Sequence, residues 1–469
     1  FRSQLINQYL SESVLTALIA LFIGLSISWF AVEWLNSFTG KQLALDFSQW
    51  PLMLGLLTFA VVVGLLAGIY PALVVSGFKP ALVLKGQLGS AKGRGGIRKT
   101  LVVVQFAISI ALMIATATTF LQLEFMNNRP LGYDKDQVVV LRLFPEIASN
   151  FDSFHNELLK NSSIGSVGRS SMVPTDRLVD YDGAKVPSGD KMESTSVVIK
   201  NVGADYDYLT TFGVTFAAGR NFSREIKSDD SIAYILNESA VKMIGWTNDN
   251  AIGKDFQYGD RKGKVIGVVK DFHFESLHEP IVPVVFMPFT NYGTISVRIA
   301  SKDMQQGIAH IEKVWKEFLP IRPFEYIFLS ERYQQLYQSE QKQGQLFTVF
   351  SSLAIFIACL GLFGLATFST LQRMKEVGIR KILGASTSSL LSLLSREIFI
   401  LVLIANVIAW PAGWYFMRLW LDGFAYRIDM PVAVFVISTL AALMVALITV
   451  SSQTIRTAMT NPARTLRYE

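Results

Sequence analysis

The sequence holds a single cysteine, Cys359, inside an apolar run. One thiol excludes an intrachain disulfide and any cysteine-built metal cluster. No stretch matches G-x-x-x-x-G-K-[ST]. The nearest pieces, Gly253-Lys254-Asp255 and Gly263-Lys264-Val265, lack both the spacing and the hydroxyl, so the loop that cradles a nucleotide phosphate is missing and ATP hydrolysis by this chain is not expected. The four histidines and the serines form no nucleophile triad. His273 and His278, with Asp271 or Glu275 close by in sequence, have metal-ligand chemistry, but no third cluster of ligands accompanies them. A structural turn following a strand at 265–269 is the simpler reading, and no metal is expected.

A further absence is charge in the middle of the long apolar runs. Six stretches, near 13–36, 51–75, 99–123, 346–372, 394–420 and 431–455, reach the roughly 20 residues that cross about 30 Å of hydrocarbon. A central Arg, Lys or Asp would cost roughly 2.5–3.5 kcal/mol on the insertion scale, and none is present. Glu12, Arg396 and Glu397 fall at helix entrances, where long side chains reach the interface. Without an ionisable residue at a membrane centre, a proton- or ion-coupled carrier is disfavoured.

What is present defines the class. Of 469 residues, 51% are hydrophobic and 17% charged, too apolar for an ordinary soluble protein and too charged for a wholly buried one. The expected fold is an α-helical polytopic membrane protein, six transmembrane helices here, with one inserted mixed α+β extracytoplasmic domain. The net charge of +6 does not point to nucleic acid, because the basic residues collect in three loops. Residues 76–100 carry Lys79, Lys85, Lys92, Arg94, Arg98 and Lys99 with no acid; 373–381 carry Arg373, Lys375, Arg380 and Lys381; the tail carries Arg456, Arg464 and Arg467. The positive-inside rule makes these cytoplasmic and puts 37–50, 124–345 and 421–430 outside.

The chain repeats itself. Residues 1–35 match 386–420 at one offset, pairing Leu5 with Leu390, Glu12 with Glu397 and Trp29 with Trp414. After a shorter outer loop the match resumes, pairing Pro51 with Pro431 and Lys79-Pro80-Ala81 with Asn461-Pro462-Ala463. Gly384 and Ala385 then correspond to the two positions before Phe1, so a preceding segment with a first copy of 373–384 is expected. Between the membrane runs, strands are expected at 138–143, 196–202, 232–236, 265–269, 283–287, 295–299 and 324–328. Helices are expected at 151–160 after an Asn150 cap, at 238–244, and at 304–318 with Met304, Ile308, Ile311 and Trp315 on one face. Residues 330–345, polar and free of proline, should run helically into the fourth membrane span as a stalk.

The segment 373–384, between two membrane runs, is distinctive. At helical spacing Arg373, Glu376 and Arg380 share one face, while Met374, Val377, Gly378 and Ile382 lie opposite with Lys381 intruding. Gly384 supplies a helix stop, and Ser386 or Thr387 can cap the next helix. Such a segment fits a membrane surface or a partner's groove. Gly64-x-x-x-Gly68 and the pair Gly361 and Gly364 are candidate close-packing faces, either within the chain or between copies. Asn161, Asn221 and Asn237 each begin an N-x-[ST] pattern, read here as chance.

The run 376–385, Glu-Val-Gly-Ile-Arg-Lys-Ile-Leu-Gly-Ala, resembles the cytoplasmic coupling segment of FtsX-like permeases of the MacB type, in their duplicated form. Gly219-Arg220-Asn221-Phe222, Asn237-Glu238 and the run 266–272 resemble marks of the extracytoplasmic domain of that family. The resemblance implies the following organisation. Residues 1–85 end a first permease repeat, 86–98 form a basic cytoplasmic linker, and 99–123 open a second repeat. Residues 124–345 form the MacB-like domain with its stalk, and 346–469 a second permease domain with its coupling segment at 373–385. It further implies a permease of the bacterial inner membrane that binds no cofactor itself. A dimeric cytoplasmic ABC ATPase would use ATP and Mg, with Glu376, Arg380 and Lys381 as its contacts, Val377 and Ile382 in its groove, Gly378 allowing close approach and Gly384 ending the helix. The lipid bilayer is a partner, a periplasmic or outer-membrane protein is an expected one, and nucleic acid is not. Two activities stay open: export of a hydrophobic, peptide or lipoprotein substrate by mechanotransmission, or non-transport signalling to an extracytoplasmic cell-wall enzyme.

Overall fold

A computed structural model of the chain describes residues 2–40, 42–76, 96–289, 291–300, 304–372 and 386–458. It divides into two compact units, Phe1–Val104 and Gln105–Glu469. Among the described residues six helices are long and apolar enough to cross a membrane: Ser3–Phe38, Trp50–Ile69, Lys99–Asn128, Gln338–Thr367, Ser395–Leu421 and Val432–Ser452.

In the first unit, α1 (Arg2–Thr39) and α2 (Trp50–Ser76) form a hairpin. Asn36 fixes the start of its loop by donating to the Leu43 carbonyl at 2.6 Å and accepting the Leu43 N–H at 2.7 Å. Gly64 and Gly68 set the spacing. A Cβ on Gly64 would stand 2.7 Å from Val14 Cα, and one on Gly68 would stand 2.8 Å from Ser13 Oγ, so only hydrogen fits at either position. This glycine face is therefore occupied by α1.

The helix α3 (Gly96–Asn128) leads out into the extracytoplasmic domain, and its residues from Gln105 onward belong to the second unit. The domain unfolds along the chain as β1 (Val138–Arg142), α4 (Phe151–Leu159), β2 (Ile164–Ser170), β3 (Tyr181–Asp182), β4 (Ala184–Ser188), β5 (Lys191–Ser194), β6 (Ile199–Gly203), α5 (Tyr208–Thr211), β7 (Phe216–Gly219), β8 (Ala233–Asn237), β9 (Asp255–Tyr258), β10 (Arg261–Val269), β11 (Val284–Met287), β12 (Thr294–Ile299), α6 (Met304–Phe318) and β13 (Tyr326–Phe328). Four further short helices lie among them, Pro145–Ala148, Asp229–Ile232, Glu238–Met243 and Asn248–Ala251.

Two sheets result. One has the order β13-β1-β12-β2, all antiparallel, and the other runs β3-β6-β11-β8-β10-β9-β4-β5 with β7 also on β10. In the larger sheet β8 is parallel to β10 and β6 to β11, a mixed pattern that suits a sheet covered on both faces. On the small sheet, Val139, Leu141, Ile295 and Val297 face Phe154 of α4 and Ile311 and Trp315 of α6. On its other face Val138 and Val140 join Tyr208 and Phe286 in a second core that also receives Tyr333 and Tyr337.

The seven expected strands are all found. Missed were β2, whose Gly-Ser composition hides a buried strand, the two-residue β3, the polar β4–β5 hairpin, and the four-residue β7 and β9. Gly168 of β2 lies so close to α5 that a Cβ would stand 2.9 Å from Tyr208 Cα, and a Cβ on Gly165 would stand 3.1 Å from Ala300 Cβ, so both positions favour glycine. Asn150 stands at the N-terminus of α4 as expected, but its side chain makes no capping bond.

The stalk is not one continuous helix. α7 (Leu329–Gln335) and α8 (Gln338–Gln372) are separated by a tight turn, in which Leu336 N–H donates to Tyr333 O and Tyr337 N–H to Gln334 O. α9 (Thr387–Leu421) begins with the Ser386 hydroxyl accepting the Ser389 N–H, and α10 (Val432–Ala458) completes the membrane part. In this pair, buried Asn406 accepts from Trp410 Nε1 at 3.1 Å and from the Thr439 hydroxyl of α10 at 2.6 Å. Gly361 of α8 meets α3, where a Cβ would stand 2.5 Å from Gln105 Oε1. Gly364 makes no close approach within the chain: nothing lies within 4 Å of where its Cβ would be, and it stands on an exposed face of α8.

The two sheets are bridged where β6 passes to α5. Asp205, 2% exposed, accepts the Asp207 and Tyr208 N–H groups on Oδ1, while its own N–H donates to the Arg169 carbonyl of β2. Burial lifts its pKa from 3.8 to about 6, the Arg169 guanidinium at 3.9 Å being too distant to offset the desolvation. The folded protein thus holds this proton more tightly than the unfolded chain, and the stability it contributes at pH 4 is lost as pH rises through 6. Asp205→Asn keeps the accepting oxygen and removes the titration. Relative to the wild type, this variant should gain on the order of 2 kcal/mol between pH 4 and 7. Thermal unfolding of the detergent-purified pair of proteins across that range checks this, and a pH-independent difference would refute it.

Candidate functional site

The structure converges where the second unit's membrane helices meet its extracytoplasmic domain. Three pieces meet there: the loop 270–283 after β10, the short outer loop 422–431 between α9 and α10, and the turn between α7 and α8.

The loop 270–283 is anchored to the large sheet by a knot of polar groups. Asn237, 2% exposed at the end of β8, uses every donor and acceptor it has. Its Oδ1 accepts the Ala240 and Val284 N–H groups, and its Nδ2 donates to Asp271 Oδ1 and the Val282 carbonyl. Asp271 also accepts the Ser239 N–H at 2.9 Å and its hydroxyl at 2.6 Å, and Asp271 N–H donates to Glu238 Oε2. Asn237-Glu238 and the run 266–272, separated in sequence, are therefore one interlocked unit.

From this anchor the loop reaches the outer face of the membrane helices. The Ala425 and Tyr426 N–H groups donate to the carbonyls of His278 and Leu277 at 3.1 and 3.2 Å, a two-rung backbone ladder between the domain and the outer loop. The Tyr426 hydroxyl accepts the Ile281 N–H. On the membrane side, fully buried Gln122 of α3 donates to the Tyr426 carbonyl at 3.0 Å and accepts the Ile428 N–H at 2.9 Å. The stalk closes the joint: the Tyr337 hydroxyl accepts the Leu277 N–H at 2.9 Å, Tyr333 donates to the Met126 carbonyl, and Trp420 Nε1 donates to Gln343. His278 stacks on Phe424 at 4.3 Å and faces Tyr337, its Nε2 3.4 Å from Glu340 and its Nδ1 2.8 Å from the Ser276 hydroxyl.

His273, 7% exposed, sits edge-on to Tyr426, and Arg129 Nε donates to its Nε2 at 3.4 Å. Burial and then the Arg129 charge push its pKa from 6.5 to about 4, so the imidazole is neutral at ordinary pH. Asp271, Glu275, His273 and His278 serve four different partners, with Glu275 accepting the Leu178 N–H. Among the described residues no group of His, Cys, Asp and Glu could hold a metal ion. The turn reading of 271–278 describes these contacts, and sequence reasoning missed that its partner is the outer loop. The signal available was the pair of aromatics Phe424 and Tyr426 in a short loop, with Trp420 just before it at the end of α9.

Glu376, Val377, Gly378, Arg380, Lys381, Ile382 and Gly384, expected from the sequence to contact an ATPase, lie outside the described residues.

A multi-pass membrane protein whose outer domain is bolted to its membrane helices is the class that this geometry defines. The model of the FtsX-like permease C-terminal family matches residues 2–80 and 348–462, and that of the MacB-like periplasmic core domain matches 101–314. The chain belongs to the FtsX-like permeases of MacB type, multi-pass proteins of the inner membrane with the core domain outside the cytoplasm. Among curated relatives, the macrolide export ATP-binding/permease protein MacB of Mannheimia succiniciproducens is 26% identical over 227 residues, 45% of this chain and 34% of the relative. The protein of the same name from Aggregatibacter actinomycetemcomitans is 24% identical over 269 residues, 54% of this chain and 40% of the relative. The chain thus spans well under half the length of these relatives. Among solved structures, the periplasmic region of MacB from Actinobacillus actinomycetemcomitans aligns with a TM-score of 0.30 and 21% identity, over 44% of this chain and 94% of that one.

Tyr337→Phe tests the joint most cleanly, since it leaves the ring and orphans the buried Leu277 N–H. The expected cost is about 1–3 kcal/mol. It should appear as faster amide hydrogen exchange confined to 271–282 and 422–431, and unchanged exchange there would show that the ladder does not depend on the stalk.

Proposed function

We propose that the chain is a permease subunit that carries the motion of a separate cytoplasmic ABC ATPase to its own extracytoplasmic domain, and that the motion extrudes a hydrophobic, peptide or lipoprotein substrate. In this reading ATP and Mg belong to the partner ATPase dimer, which grips the segment 373–385 through Glu376, Arg380 and Lys381. The observation that carries the proposal is the joint. The Gln122, Tyr337 and Tyr426 contacts leave the outer loop no freedom to move independently of the domain, so a displacement of α9 and α10 becomes a displacement of the loop 270–283 and, through Asp271 and Asn237, of the large sheet. Rigid elements linked by satisfied buried polar groups transmit displacement rather than absorb it.

Export is favoured over signalling to a cell-wall enzyme by the macrolide-export names of the relatives, which also suggest the substrate class. Asn406, bonded to Trp410 and Thr439 at the centre of the α9–α10 pair, acts as neutral helix glue and offers no proton pathway, in keeping with drive from outside the membrane.

The test is co-purification of the full-length protein with its candidate ATPase, comparing wild type with Glu376→Ala combined with Arg380→Ala. Loss of two charge-assisted contacts should weaken the complex by about tenfold or more and abolish substrate-stimulated ATP turnover, with the membrane protein still monodisperse. Equal complex and turnover in both would reduce 373–385 to a topogenic loop and remove the reading.

A further inference from the structure

Arg129 follows directly on α3, whose apolar span ends at Asn128. Its guanidinium lies 4.5 Å from the Tyr426 ring and 5.4 Å from the Phe125 ring, level with an outer loop that begins one residue after the α9 span ends at Leu421. That is the depth of phospholipid headgroups, where aromatic side chains also collect. Arg129 stands beside an open cavity of about 510 Å³ lined by Phe125, Asn128, Arg129, Pro130 and His273. No carboxylate lines that cavity, and among the described residues none lies within ion-pair distance of Arg129.

Elsewhere in the domain Arg220, Arg224, Arg298, Arg322 and Arg332 each hold an acid, whereas Arg261 is taken up by backbone carbonyls. Arg129 instead spends Nε on His273, and the two rings position the planar group. The terminal nitrogens keep their donors for a ligand, in the fork that fits two oxygens of a phosphate. Below the cavity, Ala117, Leu121, Phe125 and Asn128 fall on one face of α3 at helical spacing, and Leu121 is 36% exposed. An anion held by Arg129 therefore has an apolar strip running from it toward the membrane interior.

We propose that this cavity binds the phosphodiester of a glycerophospholipid in the outer leaflet, with Arg129 on the phosphate, Asn128 at the rim and one acyl chain along Leu121 and Phe125. The bound lipid would fill the space between the end of α3 and the loop 270–283, making lipid a structural component of the joint. The site follows from Arg129's place at the outer face and does not depend on whether the permease exports or signals.

The test uses the full-length protein, delipidated in detergent and followed by native mass spectrometry during titration with phosphatidylglycerol, dioleoylglycerol or inorganic phosphate. One saturable phosphatidylglycerol adduct is expected on wild type, weakened about tenfold in Arg129→Gln by loss of a charge-assisted contact and largely restored in Arg129→Lys. Asn128→Asp, at an exposed position, sets a carboxylate at the rim without touching Arg129 and should weaken the adduct similarly. It gives an independent reading if Arg129→Gln fails to fold. Equal phosphatidylglycerol binding by wild type and Asn128→Asp overturns the proposal. Equal binding of dioleoylglycerol would show that only the apolar strip is recognised, and inorganic phosphate competing at equal concentration would show a soluble-anion site; either result overturns the lipid assignment. Loss of ATPase complex with the adduct intact would bear on the permease reading alone.

Discussion

Two backbone hydrogen bonds, from Ala425 to the His278 carbonyl and from Tyr426 to that of Leu277, are the constraint on which the second unit depends. Backbone groups are a good place for such a constraint. Side-chain contacts can shift by rotamer changes at a cost of a kilocalorie or so, but a ladder rung held on both sides by buried partners moves only if its neighbours move too. Here Gln122 holds the far side of Tyr426, and Tyr337 holds Leu277. Each strut of the joint comes from a different membrane helix or its stalk, so the outer face of the bundle and the domain form one mechanical object.

The stalk presents one side to the joint. Tyr333, Tyr337 and Glu340, four and three residues apart, reach Met126, Leu277 and His278 in turn. Burial raises the Tyr333 phenol's pKa well above its ordinary value, so the hydroxyl stays a donor at every physiological pH.

Much of this was legible in the sequence, and what was not has a physical reason. Membrane spans announce themselves through length and missing charge, and the strands with β-branched runs, such as Val138–Arg142 and Val284–Met287, read directly. The strand Ile164–Ser170 did not, because its Gly168 answers the close approach of Tyr208 and its Gly165 that of Ala300, tertiary facts that no local pattern contains. Gly64 and Gly68 were legible as a packing face, although their partner, the Leu10 to Ala17 face of α1, was not. The joint was the least legible part. Its members lie in six separate stretches, and what identifies them is satisfied hydrogen bonding rather than residue type.

The internal repeat sharpens this last point. At the offset that pairs Leu5 with Leu390, Asn406 and Trp410 correspond to Leu21 and Leu25, and at the offset that pairs Pro51 with Pro431, Thr439 corresponds to Phe59. The polar glue of the second hairpin is thus apolar in the first, and the glycines at 64 and 68 correspond to Met444 and Ile448 in the second. One copy joins its helices by close backbone approach, the other by hydrogen bonds around a buried Asn. Close glycine packing loses contacts steeply as helices separate, whereas a hydrogen-bonded pair tolerates rotation about the bond while resisting separation. The hairpin with the polar glue is the one that ends in the ladder.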